Sequence, residues 1–107
     1  MRTAFFLILI LIILFGCKSQ KDPIDHTIQK ISFNNRNAEL QGIIAIPKGD
    51  GPFPGIVYVH GAGPEKRHEF YANYFASQGF IFLTFDKRSY GESTGEFFHG
   101  SNTSYGN

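Results

Sequence analysis

"IVYVHGAGP", residues 56–64, joins a short apolar run to a turn that contains two glycines. The run is continuous and mostly β-branched, which is typical of a strand buried on both faces of a parallel sheet. A second run of the same kind, "FIFLTFD", covers residues 80–86. The segment between them, residues 65–79, spaces its apolar residues as a helix does. The pattern predicts a strand, a helix and a strand, whose right-handed crossover makes the two strands parallel.

The predicted helix is marked at both ends. Pro64 suits the first helical position, and Gly79 suits the residue that follows the last turn. The helical spacing also places a group of aromatic side chains on one face: Phe70, Tyr71, Tyr74 and Phe75.

Two more strands are predicted before this unit. Residues 28–33 alternate apolar and polar side chains, and residues 38–47 form a second run that ends at Pro47. The turn-rich sequence "NNRN", residues 34–37, separates them, which favours an antiparallel hairpin. The predicted fold class is therefore α/β, with a β-hairpin followed by a βαβ unit.

Length and charge exclude several classes of function. The 107 residues suffice for one small domain, and the net charge is +1. The basic residues are scattered, whereas nucleic-acid binding needs a clustered basic face, so no nucleic-acid partner is expected. The four histidines have no carboxylate or cysteine at ligand spacing, and no metal site is predicted.

The first residues are typical of an export signal rather than of a folded domain. An unbroken apolar run follows Arg2 and covers residues 4–15. This run is shorter than the ~20 residues of a spanning helix but matches the roughly 7–15 residues of a signal-peptide core. The sequence "LFGC", residues 14–17, ends at the only cysteine of the chain and resembles the lipobox of bacterial lipoproteins.

The lipobox resemblance implies cleavage after residue 16 and attachment of lipid to Cys17. Residues 1–16 would be the signal peptide, and residues 17–27 a polar tether. Two or more acyl chains hold a protein firmly at a bilayer, so the implied location is that of an exported bacterial lipoprotein, membrane-anchored on the periplasmic or cell-surface side. Two alternatives stay open: an uncleaved membrane anchor, and an ordinary signal peptide with an incidental cysteine.

Residues 28–98 resemble the start of the α/β-hydrolase fold. Four features in order carry the resemblance: the hairpin, the strand before "HGAG", the helix that ends in "QGF", and "FDKRSYGESTG" at residues 85–95. The resemblance implies the sheet order 1-2-4-3-5. Residues 28–107 would be a partial domain, truncated before the strand that leads to the nucleophile. The strand at residues 56–60 would then lie at an exposed apolar edge.

The same resemblance assigns roles to residues at the strand ends. Acyl transfer builds negative charge on a carbonyl oxygen, and preorganised backbone N–H groups stabilise that charge. By resemblance, the Ala62 N–H is such an oxyanion donor, and Gly61 and Gly63 shape its turn; the alternative is a plain strand-to-helix turn. Ser89 departs from the family pattern, which usually has glycine there. Three further residues are expected to be structural neighbours of the site: His60, Asp86 and Arg88.

The sequence "GESTG", residues 91–95, matches the G-x-S-x-G pattern of many serine nucleophiles. A nucleophile elbow has a strand immediately before this pattern and a helix immediately after it. Neither is predicted around Ser93, because the strand ends near Asp86 and the residues after 95 show no helical periodicity. Ser93 is therefore predicted to be a loop residue. In the resembled family the nucleophile, the acid and the histidine all come later in the chain, so none of the triad is expected within these 107 residues.

The implied function is that of an N-terminal fragment of an exported, lipid-anchored serine hydrolase. Its Ser-His-Asp triad would lie beyond residue 107 and would cleave an ester, thioester or amide bond of a small-molecule or peptide substrate, without a cofactor. This chain alone would be inactive. The alternative is a non-catalytic, membrane-tethered interaction module on a degenerate hydrolase scaffold. In a third interpretation Ser93 acts within the short chain.

Overall fold

The computed structural model describes residues 21–96. The predicted signal peptide and Cys17 lie outside the described residues, as do residues 97–107. The described part contains four strands and one helix, in this order: β1 (His26–Asn35), β2 (Ala38–Pro47), β3 (Gly55–Val57), α1 (Glu69–Ser77) and β4 (Ile81–Phe85).

The strands form one mixed sheet in the order β1-β2-β4-β3. The hairpin β1–β2 is antiparallel, β2 and β4 are antiparallel, and β3 and β4 are parallel. This topology confirms the predicted hairpin followed by a βαβ unit. The sheet and its helix are consistent with a partial α/β-hydrolase fold.

Strand β3 lies at one edge of the sheet, as predicted, but it is shorter than the predicted residues 56–60. Its ladder with β4 ends at Val57, after which only the Tyr58 N–H still donates to the sheet, to the Leu83 carbonyl at 2.9 Å. Val57 and Val59 are 62% and 72% exposed. The apolar edge is therefore open to solvent in this structure.

Helix α1 begins at Glu69, several residues after Pro64, where the sequence predicted it to start. The intervening segment bonds to the end of β4 and to the loop after it, and its Glu65 carbonyl accepts the Lys87 N–H rather than the Glu69 N–H that a longer helix would supply. The Arg67 N–H donates to Asp86 Oδ1 at 2.8 Å, and the His68 N–H donates to Thr84 Oγ1 at 3.1 Å. These bonds hold the segment before the helix against the end of the sheet.

The C-terminal end of α1 is where the sequence predicted it. Gly79 has a φ of 94°, in the left-handed region that favours glycine. The Gly79 N–H donates to the Ala76 carbonyl, and the Phe80 N–H donates to the Phe75 carbonyl, both at 3.0 Å. These paired bonds form a Schellman motif, which satisfies the last helical carbonyls.

The face of α1 that packs on the sheet is made of small residues. Ala72 and Ala76 are fully buried and contact a core formed with Ile43, Ala45 and Phe82. Of the four aromatic residues predicted to share a face, only Phe75 stacks on the core, with its ring centroid 5.2 Å from that of Phe82. The other three, Phe70, Tyr71 and Tyr74, are exposed. The alanines allow the helix to approach the sheet closely, and this turns those three rings outward.

The start of the domain includes part of the predicted tether. Strand β1 begins at His26 rather than at residue 28, and the Ile24 N–H donates to the Ser77 carbonyl at 2.7 Å. One ring nitrogen of His26, Nε2, lies 2.9 Å from Asn73 Oδ1. Residues 24–26 are therefore docked against α1. Within residues 21–96, no helix has both the length and the apolar character to cross a bilayer.

We expect Gly42→Ala to lower the free energy of unfolding by about 1–3 kcal/mol, because overpacking forces backbone shifts. A Cβ at Gly42 in β2 would lie 2.7 Å from the Thr84 carbonyl oxygen and 2.9 Å from Phe85 Cβ, both in β4. The matched control is Gly55→Ala in β3, where a Cβ meets nothing within 4 Å. The control should change stability by less than about 1 kcal/mol. Urea unfolding followed by circular dichroism measures both, and equal effects would contradict the close approach of β2 and β4.

Candidate functional site

The predicted site residues meet at the end of the sheet that is formed by the C-terminal ends of β3 and β4. Strands β3 and β4 are parallel, so the loops that follow them leave from the same side. The first loop carries residues 60–63, and the second carries residues 86–95. In open α/β sheets, ligands bind at the carboxyl ends of the strands, which makes this end of the sheet the candidate active site.

The loop formed by residues 61–63 is held by a lysine from the neighbouring loop. Lys87 Nζ donates to the carbonyl oxygens of Gly61, Ala62 and Gly63 at 2.8, 3.0 and 2.8 Å. The Lys87 N–H also donates to the Glu65 carbonyl at 3.1 Å, which anchors the start of its own loop. Sequence reasoning missed this contact. The available signal was the position of Lys87, immediately after the strand parallel to β3.

The N–H groups of Ala62 and Gly63 have no acceptor among residues 21–96. The loop is exposed, and a Cβ at Gly63 would meet nothing within 4 Å. Two adjacent backbone donors at the carboxyl end of β3 are therefore available to an anion. Ala62 is the residue that the sequence assigned as oxyanion donor, and this role stays a prediction.

His60 packs among aromatic rings directly before this loop. Its ring lies edge-on to Phe85 and Tyr58, with centroid distances of 4.7 and 6.0 Å. Its Nε2 is buried and has no hydrogen-bond partner among the described residues. His68 also packs against Tyr58, with a centroid distance of 4.8 Å. His60 therefore packs next to the loop, and its expected place beside an active site stays a prediction.

Asp86, the residue after β4, is 2% exposed and joins three segments. Its Oδ1 accepts the Arg67 N–H at 2.8 Å, and its Oδ2 accepts the Glu92 N–H at 2.9 Å. The Arg67 guanidinium lies 3.3 Å from Oδ2. A Cβ at Gly91, whose φ is 57°, would overlap this carboxylate, so glycine is required there.

The Arg67 guanidinium extends the Asp86 cluster to the surface. It donates a hydrogen bond to the Glu92 carboxylate. This bond is the main reason that the pKa of Arg67 is raised and the pKa of Glu92 is lowered from their ordinary values. The positive charge of Arg67 therefore lies between the carboxylates of Asp86 and Glu92 and stabilises the ionised form of Glu92 beside the candidate site.

Arg88 ties the loop after β4 to the β1–β2 turn. Its Nη1 donates to Asn37 Oδ1 at 2.7 Å, and its Nη2 donates to the Asn35 carbonyl at 2.8 Å. A planar guanidinium suits two such acceptors because its donors form a rigid fork. The next residue, Ser89, has a φ of 70°. This left-handed conformation gives a physical reason why the resembled family prefers glycine there.

Comparison with known proteins identifies the family. The model of the esterase FrsA-like family matches residues 18–105, which is most of the chain. The chain belongs to the FrsA-like esterase family.

The relatives of this FrsA-like chain are named esterases, and the chain spans less than a fifth of their length. It is 37% identical over 73 residues to "Esterase EstD" of Thermotoga maritima, which covers 57% of this chain and 18% of the relative. It is 39% identical over 59 residues to "Esterase FrsA" of Shigella boydii and of Escherichia coli, which covers 53% of this chain and 14% of each relative. No solved structure matches the chain.

Ser93 of the FrsA-like chain lies in the loop after β4 and is 8% exposed. Its hydroxyl donates to the Asp86 carbonyl at 2.7 Å and accepts the Gln41 N–H at 2.9 Å. A serine nucleophile needs an exposed oxygen within hydrogen-bond reach of a base. No histidine nitrogen among residues 21–96 bonds Ser93, and this geometry favours its interpretation as a loop residue.

The described part of the FrsA-like chain also bears on metal binding. Within residues 21–96, no group of three or more His, Cys, Asp or Glu side chains lies close enough to share a metal ion.

We expect Ser93→Ala to lower the free energy of unfolding by about 1–3 kcal/mol, because the part-buried Gln41 N–H loses its acceptor. The control is Ser32→Ala, which removes an exposed hydroxyl bonded to Glu39 and should cost less than about 0.5 kcal/mol. Chemical denaturation of both variants gives the difference. A fluorophosphonate probe that labels the wild-type chain but not Ser93→Ala would contradict the loop interpretation and support catalysis by Ser93.

Proposed function

We propose that this chain is the N-terminal part of an exported, lipid-anchored serine hydrolase that cleaves ester, thioester or amide bonds. The observation that carries the proposal is the loop at residues 61–63. Its Ala62 and Gly63 N–H groups lie at the carboxyl end of β3 with no acceptor among the described residues. The names of the relatives, EstD and FrsA, favour an ester as the substrate.

The proposed mechanism uses this loop at one stage of acyl transfer. A serine beyond residue 107, deprotonated by a histidine that an acid orients, attacks the carbonyl carbon of the substrate. The oxygen of the tetrahedral intermediate becomes negative and accepts a hydrogen bond from the Ala62 N–H. The residue after the nucleophile supplies a second donor. The histidine then protonates the leaving group, and water releases the acyl group without a cofactor.

A second candidate function is a membrane-tethered interaction module without a triad. The exposed edge of β3 favours it, because an unpaired strand can accept a strand from a partner. The two proposals differ in what the gene encodes after residue 107. A hydrolase requires an apolar strand, a G-x-S-x-G turn and a helix there, followed by an acid and a histidine.

We expect the gene, read in all three frames beyond codon 107, to encode those elements. In the protein translated from that frame, Ala62→Pro removes the proposed donor and should lower kcat for a p-nitrophenyl ester by about 10²–10³-fold. The control Ala62→Gly keeps the N–H and should retain most of the activity. Thermal unfolding of both variants separates a folding defect from a catalytic one. A stop at codon 107 with no such pattern in any frame would refute the hydrolase and favour the interaction module.

The lipid anchor makes a separate prediction, on residues outside those that the structure describes. Mass spectrometry of the protein from a bacterial membrane fraction should find an N-terminal Cys17 that carries diacylglycerol and an acyl chain. Cys17→Ser should abolish the modification and release the protein from the membrane. Retention of residues 1–16 would instead indicate an uncleaved anchor. A soluble protein with an unmodified Cys17 would indicate an ordinary signal peptide.

A further inference from the structure

We propose that Lys87 is the positioning residue of the oxyanion loop. Its ammonium binds the carbonyl oxygens of residues 61–63 and thereby turns the Ala62 and Gly63 N–H groups toward the substrate. The inference rests on the proposed function, because it concerns the same loop. It goes further, since it assigns the alignment of the donors to one side chain on the neighbouring strand end.

The three contacts match the chemistry of an ammonium group. Lys87 Nζ lies 2.8–3.0 Å from three successive carbonyl oxygens, and an ammonium carries three N–H donors. The donors of an ammonium rotate freely, whereas those of a guanidinium lie in one plane. Three carbonyls that converge on one point therefore suit lysine better than arginine.

Peptide geometry converts these contacts into an orientation of the N–H groups. In a planar trans peptide, the C=O of one residue and the N–H of the next point in opposite directions. The peptide bonds between residues 61 and 63 are trans. The Gly61 carbonyl points to Lys87, so the Ala62 N–H points away from it. The Ala62 carbonyl likewise turns the Gly63 N–H away.

Pro64 completes the arrangement. The Gly63 carbonyl belongs to the peptide bond before Pro64, which has no N–H. This third carbonyl can bind the ammonium without turning a further donor to either side. The loop therefore presents its two N–H groups on one side and its three carbonyls on the other.

The loop needs such a contact because its own residues do not fix it. Gly61 and Gly63 permit many backbone conformations, and other orientations of their peptides would place carbonyl oxygens where an oxyanion should bind. The Lys87 backbone is held by its bond to Glu65, and the adjacent Asp86 is buried. The positive charge also polarises the peptides, which strengthens their N–H groups as donors.

The first test uses the longer enzyme encoded by the gene. Lys87→Met should lower kcat for a p-nitrophenyl ester by about 10–10²-fold and leave KM within about twofold, because the loop acts on the transition state. The affinity for a boronic acid, which mimics the tetrahedral intermediate, should fall by the same factor. Lys87→Arg should recover part of the loss. Lys66→Met, which removes an exposed charge nearby, is the control. A kcat of Lys87→Met equal to that of Lys66→Met would overturn the inference.

The second test uses this chain and does not depend on activity. The carbonyl ¹³C resonances of residues 61–63 should shift in Lys87→Met, which loses three charge-assisted hydrogen bonds, and stay in place in Lys66→Met. Unchanged resonances in Lys87→Met would overturn the inference. An inactive wild-type enzyme would refute the proposed hydrolase, and the resonances would still decide whether Lys87 holds the loop.

Discussion

The hydrogen bonds of the buried Asp86 carboxylate hold together the end of the sheet where β3 and β4 finish. A carboxylate removed from water is stable only when it is paired and hydrogen-bonded. Its partners come from the segment before α1, at Arg67, and from the loop after β4, at Glu92. Each partner constrains its own segment: the residues before α1 are held against the end of the sheet, and the loop after β4 turns back at Gly91. The position of Lys87 follows directly from this, because it is the next residue along the chain.

Two hydroxyl groups in the loop after β4 bind backbone N–H groups of β2 beyond the point where β4 ends. The Gln41 N–H, in β2, donates to Ser93 Oγ, and the Glu39 N–H donates to Thr94 Oγ1 at 2.8 Å. The Thr94 N–H returns a bond to the Glu39 carbonyl at 2.9 Å. The serine and threonine of "GESTG" therefore serve β2 as backbone partners. The pattern resembles a nucleophile motif in its letters, but the surrounding bonds give the two hydroxyls a structural use.

Sequence patterns predicted the elements of the fold more completely than the contacts between them. The hairpin, the βαβ order and the stop at Gly79 depend on residues that are neighbours in the chain. The start of α1 depends on contacts of residues 65–68 with Thr84, Asp86 and Lys87, which are distant in sequence. Helical spacing grouped the aromatic residues of α1 but did not reveal that the alanines face the sheet. The contacts of Lys87 were not predicted because their acceptors lie in the loop after β3. Only the parallel pairing of β3 and β4 brings that loop near Lys87.

The hydrogen bonds from Arg88 to the β1–β2 turn couple the stability of the loop after β4 to that of the hairpin. Its bond to Asn35 spans 53 positions in the chain, and the bond between Ser93 and Gln41 spans 52. Bringing two such distant positions of the chain together costs conformational entropy, and the formation of the intervening sheet has already brought them together. The loop therefore belongs to the same cooperative unit as β1 and β2, and its shape persists only while that hairpin is intact.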